Sequence, residues 1–244
     1  MSTNKQFISL ITGSNTGIGK AVAREFIANG YTTYICGRNE AENTKTINEF
    51  KIEFPNSDIR TLKLDINSSQ SIQEAVDQVT KDHGKLDFLV NNAGVFLSMA
   101  PPSQLDMEAL RKTFDINFFG TVEVTQRFLP LLHNGTKKTI VNVSSDLGSL
   151  SLQPYTDYKF LNLNVLAYNS SKTALNGFTV QLSKELASKG FKINAVNPGF
   201  VKTNMNQGGG ELEPSVPGLS IYNIATQEHG TGRYLGRDFT SYPW

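Results

Sequence analysis

Short apolar runs alternate along this chain with longer stretches in which apolar residues recur at helical spacing. Phe7 to Thr12 reads as a buried strand, and a glycine-rich turn follows it. Ile18, Val22 and Phe26 then mark a helical stripe at i, i+4 and i+8, which Asn29-Gly30 stops. Tyr31 to Gly37 reads as a second strand, with Cys36 packed inside it as a small hydrophobe. Glu40 to Phe54 is a polar helix ended by Pro55, and Ile59, Leu62 and Leu64 belong to a third strand. Ile72, Ala75, Val76 and Val79 sit at i, i+3, i+4 and i+7, the stripe of an amphipathic helix.

The alternation continues. Leu86 to Val90 predicts a strand running into Asn91-Asn92-Ala93-Gly94. A long helix is expected from Asp106 to Leu132, then a strand from Thr139 to Val143. A second long helix from Asn164 to Ser188 leads to a strand from Phe191 to Val196, stopped by Pro198-Gly199. Asn204 to Gly218 holds Gly208, Gly209, Gly210, Pro214 and Pro217 and reads as a flexible loop, after which chain with strand character resumes. No internal repeat is visible. The pattern predicts a single doubly wound α/β domain over residues 1–244, with a parallel sheet of about seven strands and helices on both faces. Each crossover should be right-handed. Ligands in such sheets bind beyond the carboxyl ends of the strands, so chemistry belongs in the loops that follow them.

Composition narrows the function classes. The chain carries 23 basic and 22 acidic residues, a formal charge of +1, which argues against nucleic-acid and membrane-surface partners. Charged residues are only 18%, and Asn and Thr fill the gap, so the composition is polar rather than disordered. No run is long enough to span a membrane, and Phe7 to Ile11 is too short for a signal segment. The lone Cys36 excludes an internal disulfide and suits a reducing cytoplasm. His83, His133 and His229 lie far apart without metal-ligand spacing, so no metal site is expected.

The first strand-end loop reads Thr12-Gly13-Ser14-Asn15-Thr16-Gly17-Ile18-Gly19. Glycines at 13, 17 and 19 permit a tight turn and close approach of backbone to a pyrophosphate. A helix starting near Gly17 points free N–H groups at that anion. The spacing departs from the usual G-x-G-x-x-G fingerprint, so its place between strand and helix carries the argument. The second strand ends in Gly37-Arg38. Folds that select NAD place an acidic residue there for the ribose 2′-hydroxyl. Arg38 instead offers a charged planar fork suited to a 2′-phosphate, which favours NADP(H).

Tyr168 and Lys172 lie four apart in the second long helix, a turn apart on one face. An ammonium near a phenol stabilises the phenolate and lowers the Tyr pKa from about 10, which makes it a credible proton donor or acceptor. Tyr155 and Lys159 have the same spacing, but Tyr155 follows Pro154 in a segment without helical periodicity. Tyr168 leads a helix with Ala174, Phe178 and Leu182 at i, i+4 and i+8, so that pair is preferred.

With these pieces in order, the chain resembles the short-chain dehydrogenase/reductase family over nearly its whole length. The match rests on Thr12-Gly13-x-x-x-Gly17-Ile18-Gly19, Asp65, Asn91-Asn92-Ala93-Gly94, Asn117, Ser144-Ser145, Tyr168-x-x-x-Lys172 and Pro198-Gly199. Asn117-Phe118-Phe119-Gly120-Thr121, Val141-Asn142-Val143-Ser144-Ser145 and Pro198-Gly199-Phe200-Val201-Lys202-Thr203 resemble its carbonyl-reductase branch. The resemblance implies a Rossmann domain and NADPH-dependent reduction of a ketone or aldehyde. Tyr168 would donate the proton, Lys172 would hold the nicotinamide ribose, Ser145 would bond the carbonyl oxygen, and Asn117 would place a water in the relay. Asp65 would bond the adenine, Asn91 to Gly94 would line the adenosine ribose, and Val201 and Thr203 would hold the carboxamide. Asn15, Thr16, Ile18, Ile66, Pro198 and Gly199 complete the expected cofactor set.

Ser145 and Tyr168 are 168 − 145 = 23 residues apart, longer than the common family pattern. The extra stretch, about Leu150 to Leu163, is a decorated surface loop or one wall of the substrate pocket. Tyr155, Phe96, Met99 and Met205 are candidate walls, with Ser145 at the reacting end and the Gly208 to Gly210 run as a mobile lid. The expected partner is a small carbonyl compound, and the protein a monomer or small homo-oligomer. Alcohol oxidation, imine reduction and, in another class, non-catalytic dinucleotide sensing remain alternatives.

Overall fold

The computed structural model describes residues 7–154 and 157–244. Seven strands form one sheet: β1 (Ile8–Ile11), β2 (Thr32–Gly37), β3 (Ile59–Lys63), β4 (Phe88–Asn91), β5 (Thr139–Val143), β6 (Lys192–Asn197) and β7 (Tyr234–Gly236). Their spatial order is β3-β2-β1-β4-β5-β6-β7, and every pairing is parallel. The chain reverses its travel across the sheet between β1 and β4. A crevice therefore opens beyond their carboxyl ends.

Helices α1 (Gly17–Ala28), α2 (Glu40–Glu53), α3 (Ser69–His83), α4 (Met107–Phe114), α5 (Thr121–Asn134), α6 (Leu166–Leu186) and α7 (Ser215–Thr226) cover the two faces. Strand side chains alternate between them. Leu10, Leu89, Ile140 and Ile193 share a core with Val79 of α3, Phe128 of α5 and Leu182 of α6. Ile11, Val90, Val141 and Val196 share the opposite core with Phe26 of α1, Phe50 of α2 and Ile221 of α7. Burial on both faces is why these strands read as continuous apolar runs. Cys36 is wholly buried in β2.

Two elements differ from the sequence expectation. The helix expected from Asp106 to Leu132 is interrupted: a π-helical turn, Asp115–Gly120, lies between α4 and α5. Gly120 makes it possible, because a Cβ there would stand 2.3 Å from the carbonyl oxygen of Ile66. The expected loop from Asn204 to Gly218 ends early, since α7 begins at Ser215. Pro217 sits in its first turn, where a missing N–H costs little. Gly218 lets α7 approach α1, for a Cβ on it would meet Ala21 Cβ at 2.7 Å. Tyr222 of α7 then packs on Phe26, ring centroids 5.1 Å apart.

Candidate active site

The loop after β1 is shaped by glycine. Gly13 and Gly17 hold left-handed φ values of 63° and 54°, which side chains resist. Gly19 packs beneath them, where a Cβ would stand 2.4 Å from the Gly13 carbonyl oxygen. Thr16 precedes α1 in an extended conformation without capping it, and the first turn carries no acid. The first N–H groups of α1 thus lack a side-chain cap. Thr12 ties this loop to the next one: its hydroxyl accepts from the backbone N–H of Asn92 and of Ala93, each at 2.9 Å.

A cleft of about 530 Å³ lies above. Gly13, Asn15, Thr16, Gly17 and Ile18 line it from the first loop, and Arg38, Asp65 and Ile66 from the ends of β2 and β3. Asn92, Ala93 and Gly94 line it from β4; Tyr168, Lys172, Pro198, Thr203 and Met205 close the far side. Arg38 is exposed at the rim and makes no ion pair among the described residues. Asn91 does not reach the cleft. Its side-chain amide is buried in the core, donating to Thr125 Oγ1 at 2.9 Å and Asn142 Oδ1 at 2.8 Å.

A second cleft of about 800 Å³ adjoins the first. Ile18, Ser144, Tyr168, Pro198 and Met205 line both. Ser145, Phe96 and Met99 line the second one, as do Gly199 and Val201, which were expected on the cofactor side. The Phe96 ring meets the Tyr168 ring edge-on, centroids 5.2 Å apart. Phe160 of the extra stretch is a wall here, 5.8 Å from the Phe200 ring. Lys159 beside it pairs with Glu211. Tyr155, the other candidate wall, lies outside the described residues.

The polar groups converge where the clefts meet. Tyr168 and Lys172 lie a turn apart on α6, as their spacing predicts. Ser145 lines the second cleft together with Tyr168, and its hydroxyl donates to Asp146 Oδ1 at 3.3 Å. The Ser144 hydroxyl is engaged elsewhere, donating to Asn176 Oδ1 at 2.6 Å. Lys172 Nζ donates to the Val143 carbonyl at 2.9 Å. Asn117, in the π turn, accepts from Val95 N–H at 2.7 Å, and its amide donates to the Val95 carbonyl at 2.9 Å and to Ser171 Oγ at 3.0 Å. Gly94 fills the gap between them: a Cβ there would stand 3.2 Å from Asn117 Oδ1 and 3.7 Å from Lys172 Nζ.

The electrostatics correct one expectation. Burial pushes the Tyr168 phenol up to about 12 rather than down. Burial brings Lys172 down to about 8. The ammonium is committed to the Val143 carbonyl, so desolvation dominates the phenol.

The sequence pattern of the family described as "short chain dehydrogenase" matches residues 8–213. The short-chain dehydrogenase anuI of Penicillium roqueforti is 30% identical over 223 residues, covering 89% of this chain and 88% of that one. An NADPH-dependent 1-acyldihydroxyacetone phosphate reductase of Schizosaccharomyces pombe is 34% identical over 217 residues, covering 87% and 67%. The chain belongs to the short-chain dehydrogenase family. In fold it also matches an NADPH-bound carbonyl reductase from chicken fatty liver, with a TM-score of 0.85 at 23% identity over 98% of this chain and 94% of that one.

Short-chain dehydrogenases are oxidoreductases that bind a nicotinamide dinucleotide. The first cleft fits such a group: its glycine floor admits backbone contact, and the uncapped start of α1 suits a pyrophosphate. Three features of this short-chain dehydrogenase escape a reading by sequence. The Thr12 hydroxyl acts through strand-end N–H groups, Val143 through its carbonyl, and Asp146, lining the second cleft, is marked by nothing but its place after Ser145. Among the described residues no helix is long and apolar enough to cross a membrane.

Proposed function

We propose that residues 1–244 form one NADP(H)-binding domain that reduces a ketone or aldehyde to an alcohol. The observation that carries this reading is the place of Tyr168, which lines both clefts, with Lys172 in the first and Ser145 in the second. NADPH held in the first cleft would supply the hydride, and with it two electrons, for the carbonyl carbon. Tyr168 transfers its proton to the carbonyl oxygen as the C=O π bond breaks. Ser145 donates a hydrogen bond to the same oxygen, where charge develops. A phenol with a pKa of about 12 keeps its proton through the neutral range, which suits the reductive direction. Lys172 holds the nicotinamide ribose and, as a cation, draws the phenolate charge that forms.

Arg38 supports the phosphorylated cofactor. It stands at the rim of the first cleft beyond β2, unpaired and without a carboxylate in the ribose position. Two of the similar proteins are themselves named for NADPH. Asp65 and Ile66 would hold the adenine end, and Thr203 and Pro198, across the same cleft, the nicotinamide end. The resemblance of the sequence to the carbonyl-reductase branch supports a carbonyl as the substrate. The buried, unpaired Cys36 agrees with a reducing cytoplasm. The test is loss of NADPH absorbance against a panel of ketones and aldehydes. Turnover of at least one carbonyl supports the reading, and none across a broad panel sinks it.

A further inference from the structure

The second cleft holds two charged side chains, Asp146 and Lys159. Lys159 is neutralised by Glu211. Asp146 has no ion-pair partner among the described residues, and nothing in the proposed reaction employs it. Its carboxylate accepts the Leu147 N–H at 3.0 Å and the Ser145 hydroxyl at 3.3 Å, with the Tyr158 phenol beside it. The same cleft is walled by Phe96, Met99, Phe160 and Phe200. Burial among such groups holds the carboxyl above the ordinary Asp range.

That location has a chemical consequence. Ser145 hydrogen-bonds Asp146 and lines the same cleft as Tyr168, so the carboxylate stands close to the oxygen on which charge develops during reduction. Two negative charges there repel each other and raise the barrier. A cation carried by the substrate removes that conflict. It gives the buried carboxylate its missing partner and offsets the charge forming on oxygen. The rings of Phe96, Phe160 and Phe200 suit such a cation, since aromatic faces attract positive charge.

We propose that Asp146 selects carbonyl substrates that bear a protonated amine a few bonds from the carbonyl carbon. The proposal rests on the reductase reading and narrows its substrate class. The short distance from Asp146 to Ser145 sets the spacing: the ammonium must reach the carboxylate while the carbonyl oxygen meets Tyr168 and Ser145. Neutral ketones of the same shape leave the carboxylate unpaired and should be poorer substrates.

A matched pair tests this: a dimethylamino ketone protonated at neutral pH, and the ketone of equal shape in which carbon replaces nitrogen. Wild type is expected to favour the amine in kcat/KM by about 10-fold or more, the scale of one charged hydrogen bond. In Asp146→Asn the ratio should collapse toward one. A purely structural role would lower both rates and leave the ratio alone, so an unchanged ratio overturns the proposal. Equal kcat/KM for the pair in wild type also overturns it, and this arm stands even if the variant does not fold. Oxidation of NADPH with neither ketone counts against the reductase reading itself. The thermal shift of wild type with NADP+ and each ketone then decides: greater stabilisation by the amine supports the Asp146 site, and equal shifts reject it.

Discussion

Asn117 clasps the backbone of Val95 from both sides, its oxygen accepting the Val95 N–H at 2.7 Å and its amide donating to the Val95 carbonyl at 2.9 Å. The clasp joins the π turn to the strand-end loop after β4, beside Lys172. Asn117→Leu removes both partners of a part-buried peptide group. The expected loss is roughly 2–4 kcal/mol of stability, since each buried polar group left unpaired costs about 1–3 kcal/mol. Urea unfolding measures it. Reductive kcat should fall as well, because the loop carrying Gly94 loses its anchor. A variant with unchanged midpoint and kcat contradicts this role.

The π turn itself can be tested at Gly120. A Cβ there would meet the Ile66 carbonyl oxygen at 2.3 Å, so Gly120→Ala should destabilise by about 1–3 kcal/mol through overpacking. Gly177, in α6, has nothing within 4 Å of its added Cβ. Gly177→Ala should therefore stabilise by about 0.4–1 kcal/mol. Opposite signs for the two substitutions in thermal melts are the expected result. The same sign at both positions removes the argument for a forced glycine at 120.

Lys172 sets the expected pH profile. Burial brings its pKa down to about 8, whereas Tyr168 stays protonated to about 12. Below pH 8 the ammonium and the phenol proton are both present. Above it the cation is lost while the phenol is still intact. Reductive kcat/KM should be level at lower pH and decline as pH rises through about 8. Lys172→Met should be slow throughout and lack that limb. A rise in reductive rate across the same range would be the opposite of the expectation.

The choice of NADPH over NADH is proposed to rest on Arg38. Arg38→Ala should weaken NADPH binding by roughly 10–150-fold, the equivalent of the 1.5–3 kcal/mol typical of a hydrogen bond to a charged group. NADH binding should change little. Fluorescence titration of the reduced cofactors gives both numbers, and equal losses would remove Arg38 from the 2′-phosphate.

Much of this was legible in the residue pattern. Leu10 and Ile11 face opposite cores, and that two-sided burial is what the apolar run of β1 advertises. The glycine turn, Ser145, Tyr168 and Lys172 sit at strand ends or on one helix face, where spacing speaks directly. The start of α7 was hidden because Pro217 and Gly218 look like loop chemistry, though each fits a first turn packed on Ala21. The π turn was invisible because the Ile66 carbonyl, which leaves no room for a side chain at Gly120, comes from a distant loop. The direction of the Tyr168 shift failed for a similar reason. Spacing places Lys172 near the phenol, but only the folded site commits its ammonium to Val143 and buries the ring.

The central claim is that Tyr168 supplies the proton in an NADPH-driven carbonyl reduction. The direct measurement is steady-state kcat of wild type and Tyr168→Phe on the best carbonyl of the panel, with NADPH affinity determined for both. Loss of a positioned proton donor should lower kcat by about 10²–10⁴-fold, with a far smaller change in NADPH affinity. Equal kcat for the two proteins would contradict the account.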